Sequence, residues 1–317
     1  MKEKRVGNIT VIAAIIIFSL NFVSMKFLVE HIPPFGLIFL RFALATLFFN
    51  IILLVKKDKQ EIAKEDKRTI IAAGFVGVVM YYCFQTVALK YISASLAALI
   101  CGLIPIFTLF IKVIMDKRRL APSEIAIFLL SLVGVFMVLD MSIGDLFSSS
   151  EIIGFILMIL AVFSWIAYTL LTYRLQNKYN TILLISKQFN AATVILLFIA
   201  LFDLPKLIIS FQQVEVLPSL LLNLLFVGIV CSALGYFFYI YGMERIGVEI
   251  ASLYMNLLPA VTAIASYFIL QEVMNKTQIT GIMVVLLCLY ANGYIDWRRG
   301  KSSINATEKS IIREQKI

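Results

Sequence analysis

Residues 88–105 read ALKYISASLAALICGLIP, and residues 242–259 read GMERIGVEIASLYMNLLP. At one constant offset, these stretches and the residues just after them share identical residues at six places: Ile92 and Ile246, Ala97 and Ala251, Leu99 and Leu253, Leu103 and Leu257, Pro105 and Pro259, and Thr108 and Thr262. Repeated sequence at a fixed offset indicates repeated structure. The chain is therefore predicted to contain two related copies of one helical unit.

The composition places both copies in a membrane. Hydrophobic residues make up 61% of the 317 residues, and the mean hydropathy is +0.96, whereas soluble domains are roughly half apolar. A helix needs about 20 mostly apolar residues to cross a bilayer. The apolar runs predict ten transmembrane helices, at 9–29, 35–55, 69–89, 92–114, 123–140, 152–173, 181–202, 217–240, 248–270 and 278–297.

Further matches extend the repeat over most of the chain. The third and eighth spans both contain Phe-Val-Gly (75–77 and 226–228), and the first and sixth both contain Phe-Ser (18–19 and 163–164). The matches predict a first repeat over 1–142 and a second over 150–297. Because each copy has five spans, the second enters the membrane from the opposite side. The predicted fold is all-α, with ten transmembrane helices in two inverted five-helix repeats, an architecture typical of transporters.

The basic residues between the spans predict the orientation. Cytoplasmic loops carry the excess of lysine and arginine in membrane proteins. One alternating set of loops and ends holds 21 of these residues, from Lys2 to Lys316, whereas the other set holds only Lys90, Lys206 and Lys276. The sequence thus predicts a multi-pass protein of the cell membrane with both termini in the cytoplasm. The charged tail 298–317 is expected to be cytoplasmic, and the part after Gly300 is expected to be disordered.

Several function classes are disfavoured by the residues. The net charge of +9 is spread over loops instead of a basic, aromatic-rich segment, which argues against nucleic-acid binding. The four cysteines lie in apolar stretches and form no CxxC pair, so neither a disulfide framework nor a metal site is predicted. No HExxH or GxSxG motif occurs. We expect a protein that is not an enzyme and needs no cofactor.

The chain resembles the EamA branch of the drug/metabolite transporter superfamily over about residues 9–297. The resemblance is carried by FSLNFVSMKF (18–27), PPFGLIFLRF (33–42), ALKYISASLAALICGLIPIFT (88–108), FSWIAYTLL (163–171) and LLPAVTAIASYFILQE (257–272). It implies ten helices in an inner or plasma membrane and, most often, export of amino acids and related metabolites. Other members carry nucleotide sugars, sugar phosphates or cations. The glutamate expected after the fourth helix is replaced here by the segment 116–119.

Three polar residues in the first two spans are predicted to contact substrate. Asn21 falls near the midplane, and a buried amide in lipid needs partners. Lys26 and Arg41 fall in the outer halves of their spans, and charges inside a membrane usually face the bundle interior or a cavity. The alternatives are interhelical hydrogen bonding for Asn21, snorkelling for Lys26 and a pair with a backbone carbonyl for Arg41. Lys187 is the counterpart of Arg41 in the second repeat.

A group of aromatic and amide side chains is predicted to line the same cavity, because rings with polar tips suit an amphipathic wall. These are Tyr81, Tyr82, Gln85, Trp165, Tyr168, Tyr236 and Asn256. Interhelical packing is the alternative for each ring. Pro105 and Pro259 lie in the middle of their spans at matching places, and each is predicted to bend its helix and help to shape the cavity.

These observations predict a secondary transporter whose partners are membrane lipids and a small-molecule substrate. No Asp or Glu falls in the middle of a predicted span, so a carboxylate proton relay is disfavoured and the cations favour a substrate with an anionic group. We expect export of amino acids or related metabolites by alternating access. The alternatives are a nucleotide-sugar, lipid-precursor or multidrug carrier, and a membrane-embedded protein without transport activity.

Overall fold

The computed structural model describes residues 2–56, 60–115, 122–139, 150–212, 217–272, 274–288, 290 and 291, and every regular element within them is a helix. The segments are α1 (Lys2–His31), α2 (Pro34–Lys56), α3 (Lys64–Ala88), α4a (Ala94–Cys101), α4b (Ile104–Met115), α5 (Pro122–Leu139), α6 (Ser150–Gln176), α7 (Thr181–Ser210), α8 (Leu217–Ile246), α9a (Val248–Leu253), α9b (Leu258–Ile269) and α10 (Lys276–Cys288). The tail 298–317 and the segment 116–119 lie outside the described residues.

Seven of these segments are long and apolar enough to cross a membrane: α1, α2, α3, α6, α7, α8 and the ninth, 250–269. They coincide with seven of the predicted spans, which confirms the all-α membrane fold. The predicted fourth, fifth and tenth spans fall on α4, α5 and α10, whose described helices are shorter. The count of ten spans therefore stays a prediction.

Short polar residues begin two of the helices. The Ser93 hydroxyl accepts a hydrogen bond from the backbone N–H of Leu96 at 3.1 Å, at the start of α4a. The Asn180 side chain accepts one from the N–H of Ile182 at 2.9 Å, at the start of α7. Each satisfies one of the N–H groups that lack a partner at a helix start, which explains where these helices begin.

Two helices are interrupted just before the repeated prolines. A turn at 102–103 separates α4a from α4b ahead of Pro105, and the 3-10 segment Tyr254–Leu257 separates α9a from α9b ahead of Pro259. Proline donates no N–H and its ring crowds the preceding turn, so an α-helix does not run through it undisturbed. A Cβ placed on Gly102 would lie 2.7 Å from Cγ of Pro259. The two interruptions therefore lie against each other.

Replacing Gly102 with leucine is expected to lower the free energy of unfolding by roughly 1–3 kcal/mol, the usual cost of overpacking a filled interior. The added side chain would meet the Pro259 ring and the carbonyl oxygen of Leu99, 3.0 Å from the new Cβ. The measurement is the thermal denaturation midpoint in detergent. Ala72→Leu adds similar bulk at an exposed position of α3 and serves as the control. Equal midpoints for the two variants would contradict the close contact between the interruptions.

The Phe-Val-Gly motif marks a second shared irregularity. It begins the π-helical segment Phe75–Met80 of α3 and the π-helical segment Phe226–Gly235 of α8. A π-helical turn contains an extra residue, and such turns are frequent at functional sites. The sequence indicated that these stretches correspond, but it did not predict their helix type.

The contacts between the two halves follow the pseudo-symmetry of an inverted repeat. Helix α1 packs on α8 and α9b, and its counterpart α6 packs on α3 and α4a. Helix α2 packs on the π-helical part of α8, and its counterpart α7 packs on α3. The contacts of α2 with α7 and of α4a with α9b each join one predicted span to the corresponding span of the other repeat. The core thus lies between the halves, where both repeats contribute side chains.

Candidate functional site

A small cavity lies between the halves and has a volume of about 20 Å³, room for one or two water molecules. Both repeats line it, through Phe18, Asn21, Phe22, Tyr81, Tyr82, Cys101, Ile104, Trp165, Met255 and Leu258. Each of these side chains is at most 7% exposed. Met255 and Leu258 come from the interruption of α9, and Cys101 and Ile104 flank that of α4. The cavity is therefore lined by buried side chains, and the helix breaks form part of its wall.

Aromatic rings surround this cavity. Trp165 is the centre of the group, with its ring centroid 5.3 Å from that of Tyr81, 5.5 Å from that of Tyr236 and 5.7 Å from that of Phe18. Edge-to-face and tilted contacts at these distances are favourable for aromatic rings. The sequence predicted both Tyr81 and Trp165 as wall residues, and the structure places both in the lining.

Arg41 lies directly behind this wall and is completely buried. Its Nε and Nη2 donate to Oγ of Ser232 at 3.0 and 2.7 Å. Its guanidinium carbon lies 4.2 Å from the centroid of the Tyr82 ring and 5.2 Å from that of Phe42, which are cation–π distances. Its Nη1 has no hydrogen-bond partner. Within the described part of the chain, no carboxylate pairs with Arg41.

Two buried amides also have unused hydrogen-bonding capacity. Asn21 lines the cavity and is 3% exposed, and its Oδ1 has no partner. Gln85 donates from Nε2 to the Tyr81 hydroxyl at 3.2 Å, while its Oε1 has no partner. Buried polar atoms in proteins are nearly always hydrogen-bonded, and an unpaired one is costly. The partners that these atoms lack are groups that a polar ligand can supply.

The structure places Lys26 outside the cavity lining. Its ammonium group donates to the carbonyl oxygens of Leu89 and Ile92, at 2.8 and 3.2 Å, just after the end of α3. Carbonyls at a helix end lack intrahelical partners and attract cations, so Lys26 stabilises this end of α3. Lys187, the counterpart of Arg41, has an exposed side chain. Of the three intramembrane cations considered, Arg41 alone lies beside the cavity.

Gln85 lies outside the lining, as do three other predicted residues, Tyr168, Tyr236 and Asn256. The Tyr236 hydroxyl donates to the carbonyl oxygen of Gly77 at 3.1 Å, inside the π-helical part of α3. The Tyr168 hydroxyl donates to Oε1 of Gln188 at 3.3 Å. Their rings lie 5.7 Å apart, behind the cavity wall. Asn256 follows the lining residue Met255 in the 3-10 segment.

A cluster of hydrogen bonds joins the halves at the end of the bundle where α1 begins, which we call the N-terminal face. Asp66 of α3 accepts hydrogen bonds from Nζ of Lys178 at 3.1 Å and from the Tyr179 hydroxyl at 2.7 Å. The Tyr179 oxygen also accepts from the N–H of Ala63. The hydrogen bonds to Asp66 raise the pKa of both Lys178 and Tyr179. We call these contacts the Asp66 latch.

A different carboxylate joins the halves at the opposite end, which we call the distal face. Glu272, which follows α9b, accepts from the Ser95 hydroxyl at 2.6 Å and from the N–H groups of Ala94 and Ser95 at 3.1 and 3.4 Å. Asp203 accepts from the N–H of Phe35 at 2.9 Å at the same face. A carboxylate is favourable at a helix start, where it meets unpaired N–H groups. We call the Glu272 contacts the Glu272 latch.

Sequence reasoning missed Ser232, Asp66 and Glu272 as residues that join the halves. Ser232 is one serine in an apolar helix, and neither its type nor its spacing distinguishes it from other serines. Asp66 and Glu272 lie at span ends, where most charged residues of membrane proteins lie. The only signal was the shared Phe-Val-Gly motif, which marks the start of the segment that contains Ser232.

The profile of the EamA-like transporter family matches residues 5–140 and again residues 152–293. The chain belongs to this family. The two EamA matches cover nearly the whole chain, and with the seven long apolar helices they make it a multi-pass membrane protein of a transporter family.

Curated proteins with similar sequences are named as transporters or as an efflux pump. An uncharacterized transporter of Archaeoglobus fulgidus is 26% identical over 273 residues, which are 86% of this chain and 93% of that protein. The uncharacterized transporter YyaM of Bacillus subtilis is 25% identical over 85% of this chain and 88% of its own length. A probable amino-acid metabolite efflux pump of Salmonella typhimurium is 27% identical over 152 residues, 48% of each chain.

A solved crystal structure shares the EamA fold of this chain. It superposes with a TM-score of 0.64 over 94% of this chain and 98% of that one, at 17% sequence identity. This likeness concerns the arrangement of the helices alone.

Proposed function

We propose that the protein is a secondary transporter that exports amino acids or related small carboxylate metabolites by alternating access. The observation that carries the proposal is Arg41, a completely buried cation with a free Nη1 and no carboxylate partner among the described residues, beside a cavity between the halves. Burying a charge inside a membrane protein costs free energy. Residues that carry such charges are typical of substrate and ion pathways. A substrate carboxylate offers the partner that Arg41 lacks.

The cavity supplies complementary contacts for the rest of such a substrate. The Asn21 amide can donate to or accept from an amino or carboxyl group, and the rings of Phe18, Tyr81 and Trp165 can pack on a side chain. The efflux pump of Salmonella typhimurium, a relative over half of the chain, is named for amino-acid metabolites, which supports the same class.

The small size of the cavity indicates that the protein must change conformation before a substrate can enter. A volume of about 20 Å³ holds one or two waters and cannot hold an amino acid. The hydrogen bonds of the Glu272 and Asp66 latches join the halves at both ends of the bundle. These observations support a contracted form of the transporter, in which substrate entry requires the halves to separate at one face. Rocking of one half against the other around a fixed central site is the usual motion of inverted-repeat transporters.

We place the protein in the cell membrane with its N-terminal face in the cytoplasm. Most of the described basic residues lie at the N-terminal face, among them Lys56, Lys64, Lys67, Arg68 and Lys178, whereas Lys90, Lys206 and Lys276 lie at the distal face. The positive-inside rule assigns the first of these faces to the cytoplasm. The Asp66 latch would then close the cytoplasmic entrance and the Glu272 latch the external one.

Export can be tested in bacteria that overproduce the protein. Cells are given dipeptides that supply one amino acid at a time, and the amino acid that accumulates outside is quantified. We expect at least a several-fold faster accumulation for one chemical class than in cells with empty vector, and no increase with an Arg41→Leu variant present in the membrane at the same level. No increase for any amino acid would overturn the proposed substrate class and leave the EamA fold unaffected.

A further inference from the structure

Ser232 is the only described residue that hydrogen-bonds the Arg41 side chain, and it belongs to the other half of the protein. It is completely buried in the π-helical part of α8. Its oxygen accepts from both Nε and Nη2 of Arg41, and its own hydrogen is donated to the carbonyl oxygen of Val227 at 2.8 Å. The hydroxyl therefore has a defined direction, with its proton on Val227 and its lone pairs toward Arg41.

The helix type explains this direction. Val227 precedes Ser232 by five residues, which is the hydrogen-bond spacing of a π-helix, whereas a serine in an α-helix bonds back to the carbonyl three or four residues earlier. The π-helical turn thus provides an acceptor for the serine hydroxyl that holds its proton away from the guanidinium. A short, buried, charge-assisted pair of this kind orients a guanidinium firmly.

The remaining contacts of Arg41 leave one of its donor nitrogens without a partner. The Tyr82 ring lies 4.2 Å from its guanidinium carbon and Phe42 lies 5.2 Å from it, so aromatic rings restrain the cation. Ser232 occupies Nε and Nη2, and Nη1 stays without a partner. An anion that reaches Nη1 meets a guanidinium whose orientation is set from the opposite half of the protein.

We infer that Ser232 is a positioning residue that gives the site its preference for a carboxylate over a neutral end group. This inference rests on the proposed function, because it assigns Ser232 a part in the recognition of that substrate. Since Arg41 comes from α2 and Ser232 from α8, the complete anion site exists only while these helices of the two halves are in contact. Affinity for the carboxylate is thereby coupled to the relative position of the halves.

The test compares an amino acid with its own α-carboxamide, which differs only at the end group. Purified protein in liposomes takes up the exported amino acid found in the dipeptide screen, and each compound is used as competitor. In the native protein we expect the amino acid to compete at least tenfold better than its amide, roughly the effect of one hydrogen bond to a charged group. Ser232→Ala should reduce that ratio roughly tenfold, raise KM and change the maximal rate less.

Two further variants separate positioning from a general packing effect. Ser266→Ala removes another completely buried serine hydroxyl of the second half, one that has no hydrogen-bond partner, and should leave the ratio unchanged. Ser232→Thr keeps a hydroxyl and should restore most of the preference. A merely structural role would lower the uptake of the amino acid and leave the ratio of the two compounds as competitors intact.

The outcomes distinguish the two proposals. If Arg41→Leu removes the preference for the carboxylate while Ser232→Ala behaves like Ser266→Ala, the role of Ser232 is overturned and the proposed function stands. If the native protein takes up no amino acid, or prefers the amide, both proposals are overturned. Loss of the preference in Ser232→Ala, with recovery in Ser232→Thr, supports the positioning role.

Discussion

Replacement of Arg41 with leucine is expected to abolish transport while leaving the protein at least as stable as the native chain. Arg41 is completely buried, and no described carboxylate pairs with it. Burial of a charge costs free energy that a neutral side chain does not incur, and replacing buried ionic groups by apolar ones is often neutral or stabilising. Leucine would pack against Tyr82 and Phe42, which already contact the guanidinium.

The neighbouring serine tolerates this change, because the Ser232 hydroxyl keeps its hydrogen bond to Val227. We therefore expect a thermal denaturation midpoint equal to or above that of the native protein, together with at least a roughly tenfold loss of transport, since each 1.4 kcal/mol of lost binding is tenfold in affinity. Lys206→Leu removes the same charge from an exposed position and should keep transport. A large drop in the denaturation midpoint of Arg41→Leu would show that Arg41 serves stability instead.

Disruption of the Glu272 latch is expected to open the distal face. Glu272→Ala removes the acceptor of three hydrogen bonds from Ser95 and Ala94, and bonds to a charged group are the stronger ones. Cys101 reports the opening, because it lines the cavity and is 1% exposed. In a variant whose other cysteines are replaced by alanine, a membrane-impermeant maleimide added to intact cells should label Cys101 roughly tenfold faster after Glu272→Ala.

Two further variants test whether faster labelling is specific to loss of the Glu272 latch. Glu30→Ala removes an exposed carboxylate at the distal end of α1 and should leave the labelling rate unchanged. Asp66→Ala disrupts the latch at the N-terminal face and should slow labelling from outside, because the opening of that face competes with the opening of the distal face. An equal effect of Glu272→Ala and Asp66→Ala would contradict an alternation between the two faces.

The Asp66 latch should also keep its strength over the physiological pH range. The hydrogen bond to Asp66 raises the pKa of Lys178 above its ordinary value of 10.5. A base with a raised pKa contributes its stabilisation at all pH values below the unfolded pKa and loses it only as pH rises through the folded value. Maleimide labelling itself depends on pH through the thiolate, so the labelling rates of the two proteins are compared as a ratio. We therefore expect the same ratio of Cys101 labelling rates between Asp66→Ala and the native latch at about pH 6 and pH 8.

The sequence predicted the parts of the fold that follow from hydrophobicity and repetition. Continuous apolar runs determine where helices such as α1 and α2 cross the membrane, and Pro105 and Pro259 mark the places near which helices are interrupted. The shared Phe-Val-Gly motif related α3 to α8, but it could not predict their π-helical turns. Such turns depend on side-chain contacts with neighbouring helices, which no local pattern records.

The site was predicted in its residue types and less well in its details. Arg41 and Lys26 are both basic residues in the outer part of adjacent predicted spans, and both were predicted to contact substrate. The structure separates them because Lys26 reaches the carbonyls at the end of α3, whereas Arg41 reaches only Ser232 and aromatic rings. These partners lie 63 and 191 residues away in the chain. Contacts between distant segments, within the first half for Lys26 and between the halves for Arg41, therefore decided what sequence spacing could not.

The most direct test of the central claim is counterflow with purified protein in liposomes. Vesicles loaded with an unlabelled mixture of amino acids are diluted into a trace of the same mixture carrying a radiolabel, so that an alternating-access carrier accumulates label inside without an energy source. We predict accumulation well above that of protein-free vesicles, and none with Arg41→Leu. Absence of accumulation with the native protein, or equal accumulation with Arg41→Leu, would contradict a carboxylate carrier centred on Arg41.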